Sequence, residues 1–499
     1  MRSVVTRTDV VLRPDPSRVL ARLFVPGHEL LFDTESRATG VLSRILALPE
    51  EQVAATLARV RSRYAGRHHD LQAVMDAHYS QIEHRLPETG PLTTDRRSLI
   101  GAWFTQEFAV EGAALFNPSA VLHPDQTGLA AGEARFVLSL RAVGEGHVSS
   151  VEFRTGVLGP GASLRMDDPG RHLETGEVTP TAYDRTLLAA KLREDGADAE
   201  STRYLLGRLP ARFDAGQLES ALVALTGQRV TRHGGDRTAE LARHFAQCSY
   251  DVTFRSDSAL SERVLWPHSP SESHGLEDVR FVRFVADDGG VSYRATYTAF
   301  DGALIAPQLL TTGDFRAFHV SQLAGPAATN KGMALFPRTV GGRHLALSRW
   351  DRENTSVTTS EDGQRWGAAV KVHTPTQPWE LIQTGNCGSP LETDAGWLVV
   401  THGVGPMREY ALGALLLDLD DPTRVIGSLT DPLMTVADDE REGYVPNVVY
   451  SCGALLHDDQ LLLPYGSSDS SVRFAFVELP ALLARLTGSP AATRVKSSA

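Results

Sequence analysis

Two adjacent carboxylates, Glu277 and Asp278, stand directly before a strand-like run that carries Arg280 and Arg283. An acid that faces a pocket can transfer a proton, and an arginine can hold an anion through its planar set of donors. Side chains alternate between the two faces of a strand, so Glu277 and Asp278 are predicted to point in opposite directions, with Asp278 and Arg280 on one face. One carboxylate is therefore expected to serve a site and the other to be structural. The alternative is an ordinary surface ion pair, which contributes only ~0–1 kcal/mol.

The elements that must position these residues are mostly short strands. Beyond about residue 101, apolar runs such as VSYRATYTAF, GWLVVTHGV and GALLLDLD alternate with Gly, Pro, Asn and Asp, a pattern that predicts β-strands. Units containing FNPSAV, LEDVRFV, LFPRTV, GSPLET and SCGALL recur between about residues 113 and 480, mostly about 60 residues apart. Five radially repeated sheets of this kind predict an all-β fold, a five-bladed β-propeller.

Helical patterns precede and interrupt the predicted strands. Apolar residues recur at helical spacing from Arg37 to Leu86, and Pro49 and Glu50 are predicted to open one helix of this region. RTLLAAKLRE and AGQLESALVALTG are also helix-like. The predicted segments are a largely helical N-terminal extension (1–100), the propeller (101–485) with a mixed insertion between its first two blades (about 157–250), and a flexible tail (486–499).

The composition is that of a globular protein and excludes several classes of function. Apolar residues make up 42% and charged residues 22% of the chain, and the net charge of −12 argues against nucleic acid or an anionic membrane as a partner. The start of the chain, MRSVVTRTDVVLRPDPSR, lacks the apolar core of a signal peptide, and a cytoplasmic location is expected. The scattered Cys248, Cys387 and Cys452 are predicted to be small buried groups, with no metal site.

Repeated blades present equivalent positions to a common pocket, so polar residues that are far apart in sequence are expected to converge there. The candidates in chain order are Asn117, Arg141, Asp278, Arg280, Lys331, Arg338, Arg349, Asp351, Asn386, His402, Asn447, Tyr465 and Asp469. Any one of them could instead be an ordinary turn or surface residue. Their recurrence from blade to blade favours a shared site.

The motifs that carry these candidates resemble a known family. GLEDVR, LFPR followed by LSR, GWLVVTHGV, VPNVV and LPYGSSD, with FNPSAV upstream, are similar to the blade motifs of glycoside hydrolase family 130, the inverting β-mannoside phosphorylases and β-mannosidases. The resemblance covers roughly 113–158 and 262–480. The helical extension and the insertion lie outside the family's common short form, which implies a long-chain member.

The resemblance also implies residue roles. Asp278 falls on the family's proton donor, which acts through a sugar hydroxyl, and Val279 departs from the usual proline beside it. The implied sugar contacts are Asn117, Arg141, Arg280, Asn386 and Asp469. The implied phosphate ligands are Lys331, Arg349 and His402, with Arg338 and Arg408 as further candidates.

The resulting hypothesis is inverting cleavage of a β-mannoside or manno-oligosaccharide by phosphorolysis, which releases mannose 1-phosphate. Inorganic phosphate is then a co-substrate, and no other cofactor is expected. An inverting β-mannosidase is the first alternative; it would need a second carboxylate about 6.5–9.5 Å from the acid, and Asp351 and Glu392 are candidates. A non-catalytic carbohydrate-binding propeller is the second. A homo-oligomer is also open, since the helical extension could pack across a dimer.

Overall fold

The structure is a computed structural model that describes residues 4–27, 37–87, 90–227, 231 and 234–488. The first elements are β1 (Val5–Leu12), β2 (Val19–Leu23), α1 (Arg37–Leu46), α2 (Glu50–Tyr64), α3 (Leu71–Ile82), α4 (Thr94–Trp103) and β3 (Thr105–Ala109). They are followed by β4 (Ala114–Leu122), β5 (Ala134–Val143), β6 (Ser149–Gly159), β7 (Ser163–Met166), β8 (Glu174–Thr175), β9 (Glu177–Pro180), β10 (Tyr183–Asp184), α5 (Arg185–Glu194), α6 (Ala199–Leu206), β11 (Arg212–Phe213), α7 (Ala215–Gly227), α8 (Gly235–Gln247) and β12 (Tyr250–Thr253).

The rest of the described chain is almost entirely strands. These are β13 (Arg263–Leu265), β14 (Gly275–Val285), β15 (Val291–Phe300), β16 (Ile305–Thr312), β17 (Ala317–Gln322), β18 (Ala334–Leu335), β19 (His344–Ser348), β20 (Thr355–Ser360), β21 (Val370–His373), β22 (Gln383–Asn386), β23 (Leu391–Thr393), β24 (Gly396–Val404), β25 (Tyr410–Leu417), β26 (Val425–Ser428), β27 (Met434–Thr435), β28 (Val449–Tyr450), β29 (Leu455–His457), β30 (Gln460–Ser467) and β31 (Ser471–Glu478). Helix α9 (Leu479–Thr487) follows them.

One compact unit, the helical unit, consists of the described residues of Asp15–Gly112 with Gly170–Glu174. Helix α2 begins after Pro49, where the sequence pattern predicts a helix start. The helices α1–α4 bury a common apolar cluster that includes Leu42, Val53, Leu57, Met75, Leu99 and Phe104. Gly101 permits the close contact of α4 with α3, since a Cβ there would lie 1.8 Å from the carbonyl oxygen of Met75.

The second compact unit, the β-rich unit, holds the described residues of Met1–Pro14, Ala113–Pro169 and Thr175–Ala499. Its antiparallel strands form successive groups, namely β4–β6, β14–β17, β18–β21, β22–β26 with β27, and β28–β31 with β1. Gly275 of β14 pairs in parallel with Ser149 of β6, which joins the first two groups into one large sheet. Strands β12 and β9 extend that sheet beyond β17.

The observed elements agree with several of the predictions from the sequence. The fold is mostly β-strand with helices near the N-terminus, as predicted, and RTLLAAKLRE and AGQLESALVALTG form α5 and α7. All three cysteines are free and buried, which confirms their expected packing role. The tail predicted for 486–499 lies outside the described residues beyond Gly488. Among the described residues, the helices are too short or too polar to cross a bilayer.

Candidate active site

A cavity of about 500 Å3 in the β-rich unit gathers most of the residues that the sequence singled out. Its predicted members are Asn117, Arg141, Asp278, Lys331, Arg349, His402, Arg408 and Asp469. Its other lining residues include Phe116, Asn330, Arg352, Gln383, Tyr410 and Tyr450. A volume of this size suits a small ligand such as one or two sugar rings.

A break in strand pairing turns Asp278 into the cavity. On β14, Glu277 pairs with Thr298 and Arg280 pairs with Thr296, so two residues of β14 oppose one residue of β15. Asp278 lies inside this bulge with a φ of 57°, a left-handed conformation that Asp tolerates better than most residues. The bulge breaks the alternation of side chains along the strand.

The prediction that Glu277 and Asp278 point in opposite directions is therefore wrong. Arg141 contacts both carboxylates, with its Nη2 2.5 Å from Glu277 Oε1 and its Nη1 3.2 Å from Asp278 Oδ1. Both acids are buried, so the alternative of a surface ion pair is also wrong. Glu277 contacts Arg141 and Lys331 of the cavity lining, a role that strand alternation does not predict.

Strand β4 carries a matching bulge that positions Asn117. Phe116 pairs with Arg141 and Ser119 pairs with Ser139, and Asn117 between them has a φ of 50°. Its amide nitrogen donates a 2.5 Å hydrogen bond to Asp278 Oδ1. The two bulges thus bring an amide and a carboxylate from different strand groups into contact.

The charge of Asp278 is set by three cations. Burial raises the pKa of this carboxyl, but Arg141, Arg280 and Lys331 outweigh burial and lower the pKa to about 2. Asp278 is thus ionised at neutral pH when the cavity holds no ligand. Lys331 also forms an ion pair with Glu277. This predicted phosphate ligand therefore already has a carboxylate partner.

Asp469 is a second carboxyl of the cavity, and its charge behaves differently. Burial and the nearby negative charge of Asp278 raise the pKa of Asp469 to about 7, although Arg141 and Arg408 act in the opposite direction. It too has a left-handed φ, of 50°. The cavity therefore contains one carboxyl that is ionised and one that titrates near neutrality.

Arg349 is the buried cation of the described cavity lining that has no carboxylate partner, whereas Arg352 and Arg408, which also form no ion pair, are exposed. Its Nε donates to the Thr384 carbonyl at 3.2 Å and its Nη2 to the Arg352 carbonyl at 2.9 Å. Within the described part of the chain it forms no ion pair, and burial lowers its pKa. Asp351, the partner considered from the sequence, instead accepts hydrogen bonds from Asn354.

A glycine and a histidine complete the surroundings of Arg349. Gly385 leaves room for the arginine, since a Cβ there would lie 2.2 Å from Arg349 Nε and 2.9 Å from His402 Cε1. His402 is 1% exposed, and burial followed by the charges of Arg349 and Arg280 holds its pKa well below the usual value. The imidazole is neutral at physiological pH, and as a phosphate ligand it would act as a hydrogen-bond donor rather than as a cation.

Six of the candidates from the sequence do not belong to the described lining of the cavity, namely Arg280, Arg338, Asp351, Asn386, Asn447 and Tyr465. Arg280 and Asn386 are buried. Arg280 donates hydrogen bonds to two residues that line the cavity, to the Asp278 carbonyl at 2.6 Å and to the Tyr450 hydroxyl at 2.8 Å. Arg338 is paired with Glu392 away from the cavity, which also removes Glu392 as a second catalytic carboxylate there.

The matching family model and the relatives found by sequence belong to one family. A family model described as beta-1,4-mannooligosaccharide phosphorylase, of glycoside hydrolase family 130, matches residues 237–486. The chain is 30% identical over 224 residues to a 1,2-beta-oligomannan phosphorylase of Thermoanaerobacter sp. (strain X514). This alignment covers 44% of this chain and 74% of that protein. It is 31% identical over 221 residues to a beta-1,2-mannobiose phosphorylase of the same organism, covering 43% and 70%. The solved structure of a beta-1,2-mannobiose phosphorylase from Listeria innocua aligns with 77% of this chain and 94% of its own at a TM-score of 0.45 and 22% identity.

Proposed function

Because the chain belongs to glycoside hydrolase family 130, we propose that it cleaves β-mannosides by inverting phosphorolysis, releasing mannose 1-phosphate and a shortened acceptor. Its substrates are then inorganic phosphate and a β-mannoside or manno-oligosaccharide. The matched family model is named for β-1,4 linkages and the matched relatives for β-1,2 linkages, so both linkages belong in the test.

The buried charge of Arg349, which has no carboxylate partner among the described residues, is the observation that supports phosphorolysis. This arginine is a buried cation that lines the cavity. A buried charge without a counter-ion is costly, and a phosphate dianion would supply the missing negative charge. Phosphate is also a nucleophile in its own right, so the protein needs only one catalytic acid.

Asp278 is the acid of the proposed reaction. In the absence of ligand its pKa of about 2 keeps it ionised, and an incoming phosphate dianion would oppose the three cations that hold the pKa down. The acid form is then favoured once phosphate and sugar are both bound. Asn117 and Arg141 orient the carboxyl group, which delivers its proton to the leaving oxygen through a sugar hydroxyl.

The strand groups of the β-rich unit fit the blades of a five-bladed propeller. The fifth group includes β1 from the start of the chain, paired with β31, and such mixing of the two chain ends closes many propellers. Ser119 of the first group also pairs with Gly453 near the fifth. In this proposal the propeller consists of 101–485 together with β1, with 157–250 inserted between its first two blades, and the rest of 1–100 is a largely helical extension.

Hydrolysis is the second candidate function. The raised pKa of Asp469, a second carboxyl in the cavity, is the observation that favours it. This carboxyl lines the same cavity as Asp278 and titrates near pH 7, which suits a general base. Water would then replace phosphate as the nucleophile, and free mannose would replace mannose 1-phosphate as the product.

The test is product identification with β-1,2- and β-1,4-manno-oligosaccharides in the presence and absence of phosphate. Phosphorolysis predicts mannose 1-phosphate and strict dependence on phosphate. Free mannose formed at an undiminished rate in phosphate-free buffer would establish hydrolysis instead. The Asp278→Asn variant serves as the control for contaminating activity.

A further inference from the structure

A second cavity, of about 480 Å3, lies in the β-rich unit between the insertion and the sheet β14–β17. The insertion contributes residues from Thr181 to Leu187 together with Arg212 and Phe245. The lining of this cavity shares no residue with that of the candidate active site. The insertion thus helps to enclose a separate, preformed space.

Strand register builds the floor of the second cavity. Arg294 of β15 pairs with Thr311 of β16, and Thr311 pairs with His319 of β17, so these three side chains form one row on one face of the sheet. Phe284 of β14 pairs with Ser292, two residues from Arg294, and is therefore the diagonal neighbour of Arg294 on the same face. The Arg294 guanidinium carbon lies 3.5 Å from the centre of the Phe284 ring.

Arg294 has little compensation for its charge. Its Nε donates a 3.3 Å hydrogen bond to Ser292, and within the described chain its terminal nitrogens have neither a hydrogen-bond acceptor nor a carboxylate partner. Burial lowers its pKa, as expected for a partly desolvated cation without a counter-ion. Stacking on Phe284 leaves both terminal nitrogens able to hold an anion in the plane of the guanidinium group.

His344 extends the donor surface on the same aromatic ring. Its imidazole centre lies 5.4 Å from that of Phe284, and among the described residues it has no hydrogen-bond partner. Burial and the charge of Arg294 lower its pKa, so the ring is neutral and offers one N–H.

The carboxylates of the cavity are already committed to local structure. Asp184 caps α5 through the backbone nitrogens of Thr186 and Leu187, at 2.8 and 3.0 Å. Asp362 caps its own turn and pairs with Arg365 at 2.6 Å. His319 is paired with Asp251 at 2.7 Å. Arg294 and His344 are therefore donors left to a ligand, and so are Arg212 and the indole nitrogen of Trp366 in the same described lining. A ligand must bring its own acceptors.

We propose that this second cavity is a binding site for a sugar phosphate, with the phosphoryl group on Arg294 and His344 and the sugar against the insertion. A phosphoryl group matches the fork of an arginine and brings more acceptor oxygens than a carboxylate does. The hydroxyl and amide side chains of Ser292, Thr311 and Gln364 suit a polyhydroxyl body, and the volume accommodates a monosaccharide phosphate. The site does not depend on the proposed reaction.

The experiment counts binding sites on the full chain by calorimetric titration with mannose 1-phosphate. Arg294→Gln should remove one site, whereas the matched control Arg343→Gln should remove none, because Arg343 is an exposed arginine next to His344 that does not line the cavity. An equal number of sites in wild type and Arg294→Gln would overturn the proposal. If the active site takes no sugar phosphate, the wild type has one site and Arg294→Gln has none, so a failure of the proposed reaction remains distinguishable.

A second variant keeps the test decisive if Arg294→Gln does not fold. His344→Phe retains a ring beside Phe284 but removes the N–H donor, and it should weaken one site by about tenfold, the effect of one lost hydrogen bond of about 1.4 kcal/mol. Unchanged affinity at every site in this variant would contradict the assignment.

Mannose alone should leave the Arg294-dependent site empty. Mannose binding there as tightly as mannose 1-phosphate would refute the role of the phosphoryl group.

Discussion

Asn117 donates a 2.5 Å hydrogen bond to Asp278 across 161 residues of sequence. Each of the two residues lies in a bulge of its strand with a left-handed φ, of 50° and 57°. The pairing joins the first and second strand groups at the candidate active site and fixes the orientation of the proposed acid.

Replacing Asp278 by Asn should abolish turnover while leaving the fold intact. The substitution removes the acid with little change in volume, and loss of a catalytic proton donor typically costs ~10²–10⁴ in rate. The measurement is the rate of product formation, with circular dichroism as the check on folding. A variant with near wild-type activity would place the acid elsewhere.

Glu277→Gln should lower both stability and activity, which reverses the expectation from strand alternation. Glu277 binds Arg141 and Lys331, and its neutralisation leaves two cations without their shared acid. Breaking a buried ion pair of this kind costs about 3–5 kcal/mol. Denaturant unfolding measures the loss, and Glu392→Gln, which breaks an exposed pair with Arg338, is the control and should cost less than about 1 kcal/mol.

Arg349→Ala should raise the phosphate requirement far more than it weakens binding of the mannoside. Truncating one partner of a desolvated charge pair typically costs ~2–5 kcal/mol. Initial rates measured over a grid of both substrate concentrations separate the two effects. Equal increases in both KM values would identify Arg349 as a structural residue.

Gly385→Ala should reproduce part of that defect without removing a charge. The new Cβ would lie 2.2 Å from Arg349 Nε and must displace the guanidinium group. Gly313→Ala is the matched control, because a Cβ there meets no atom within 4 Å. The two variants are compared by their KM for phosphate, and an unchanged value in Gly385→Ala would show that the exact position of Arg349 does not matter.

Stability should fall as pH rises because of Asp469. Its pKa is about 7 in the folded protein and about 3.9 when unfolded, so between these values the folded state binds more protons than the unfolded state. The free energy of unfolding of the wild type, relative to Asp469→Asn, should therefore decrease between pH 5 and pH 8.

Asp278 itself titrates outside this pH range. Its pKa is lowered to about 2, so its stabilising contribution is complete above about pH 4 and is lost only as pH falls toward 2. Because the charge of Asp278 helps to raise the pKa of Asp469, Asp278→Asn should lower that pKa, and its free energy of unfolding should decrease less than that of the wild type between pH 5 and pH 8. A difference between wild type and Asp469→Asn that stays constant from pH 5 to pH 8 would refute the raised pKa of Asp469.

The sequence by itself determined those features that follow from local pattern. Period-two runs such as VSYRATYTAF became strands, and helical periodicity placed a helix start at Glu50 and the helices α5 and α7 in the insertion. The recurring motifs also identified the family and most of the residues that line the candidate active site. These features depend on residues within one or two turns or strands of each other, so the sequence is sufficient to reveal them.

The tertiary structure alone decided how the charges of the site are paired. The alternation of a strand is a local rule, and the bulge at Asp278 overrides it in order to place Glu277 and Asp278 on the same arginine. Arg141 is 136 residues from Glu277, and Lys331 is 54 residues from it. Contacts of this kind arise when strand groups pack together. They determine that Asp278 is ionised, that Asp469 titrates near pH 7 and that the buried Arg349 has no carboxylate partner among the described residues.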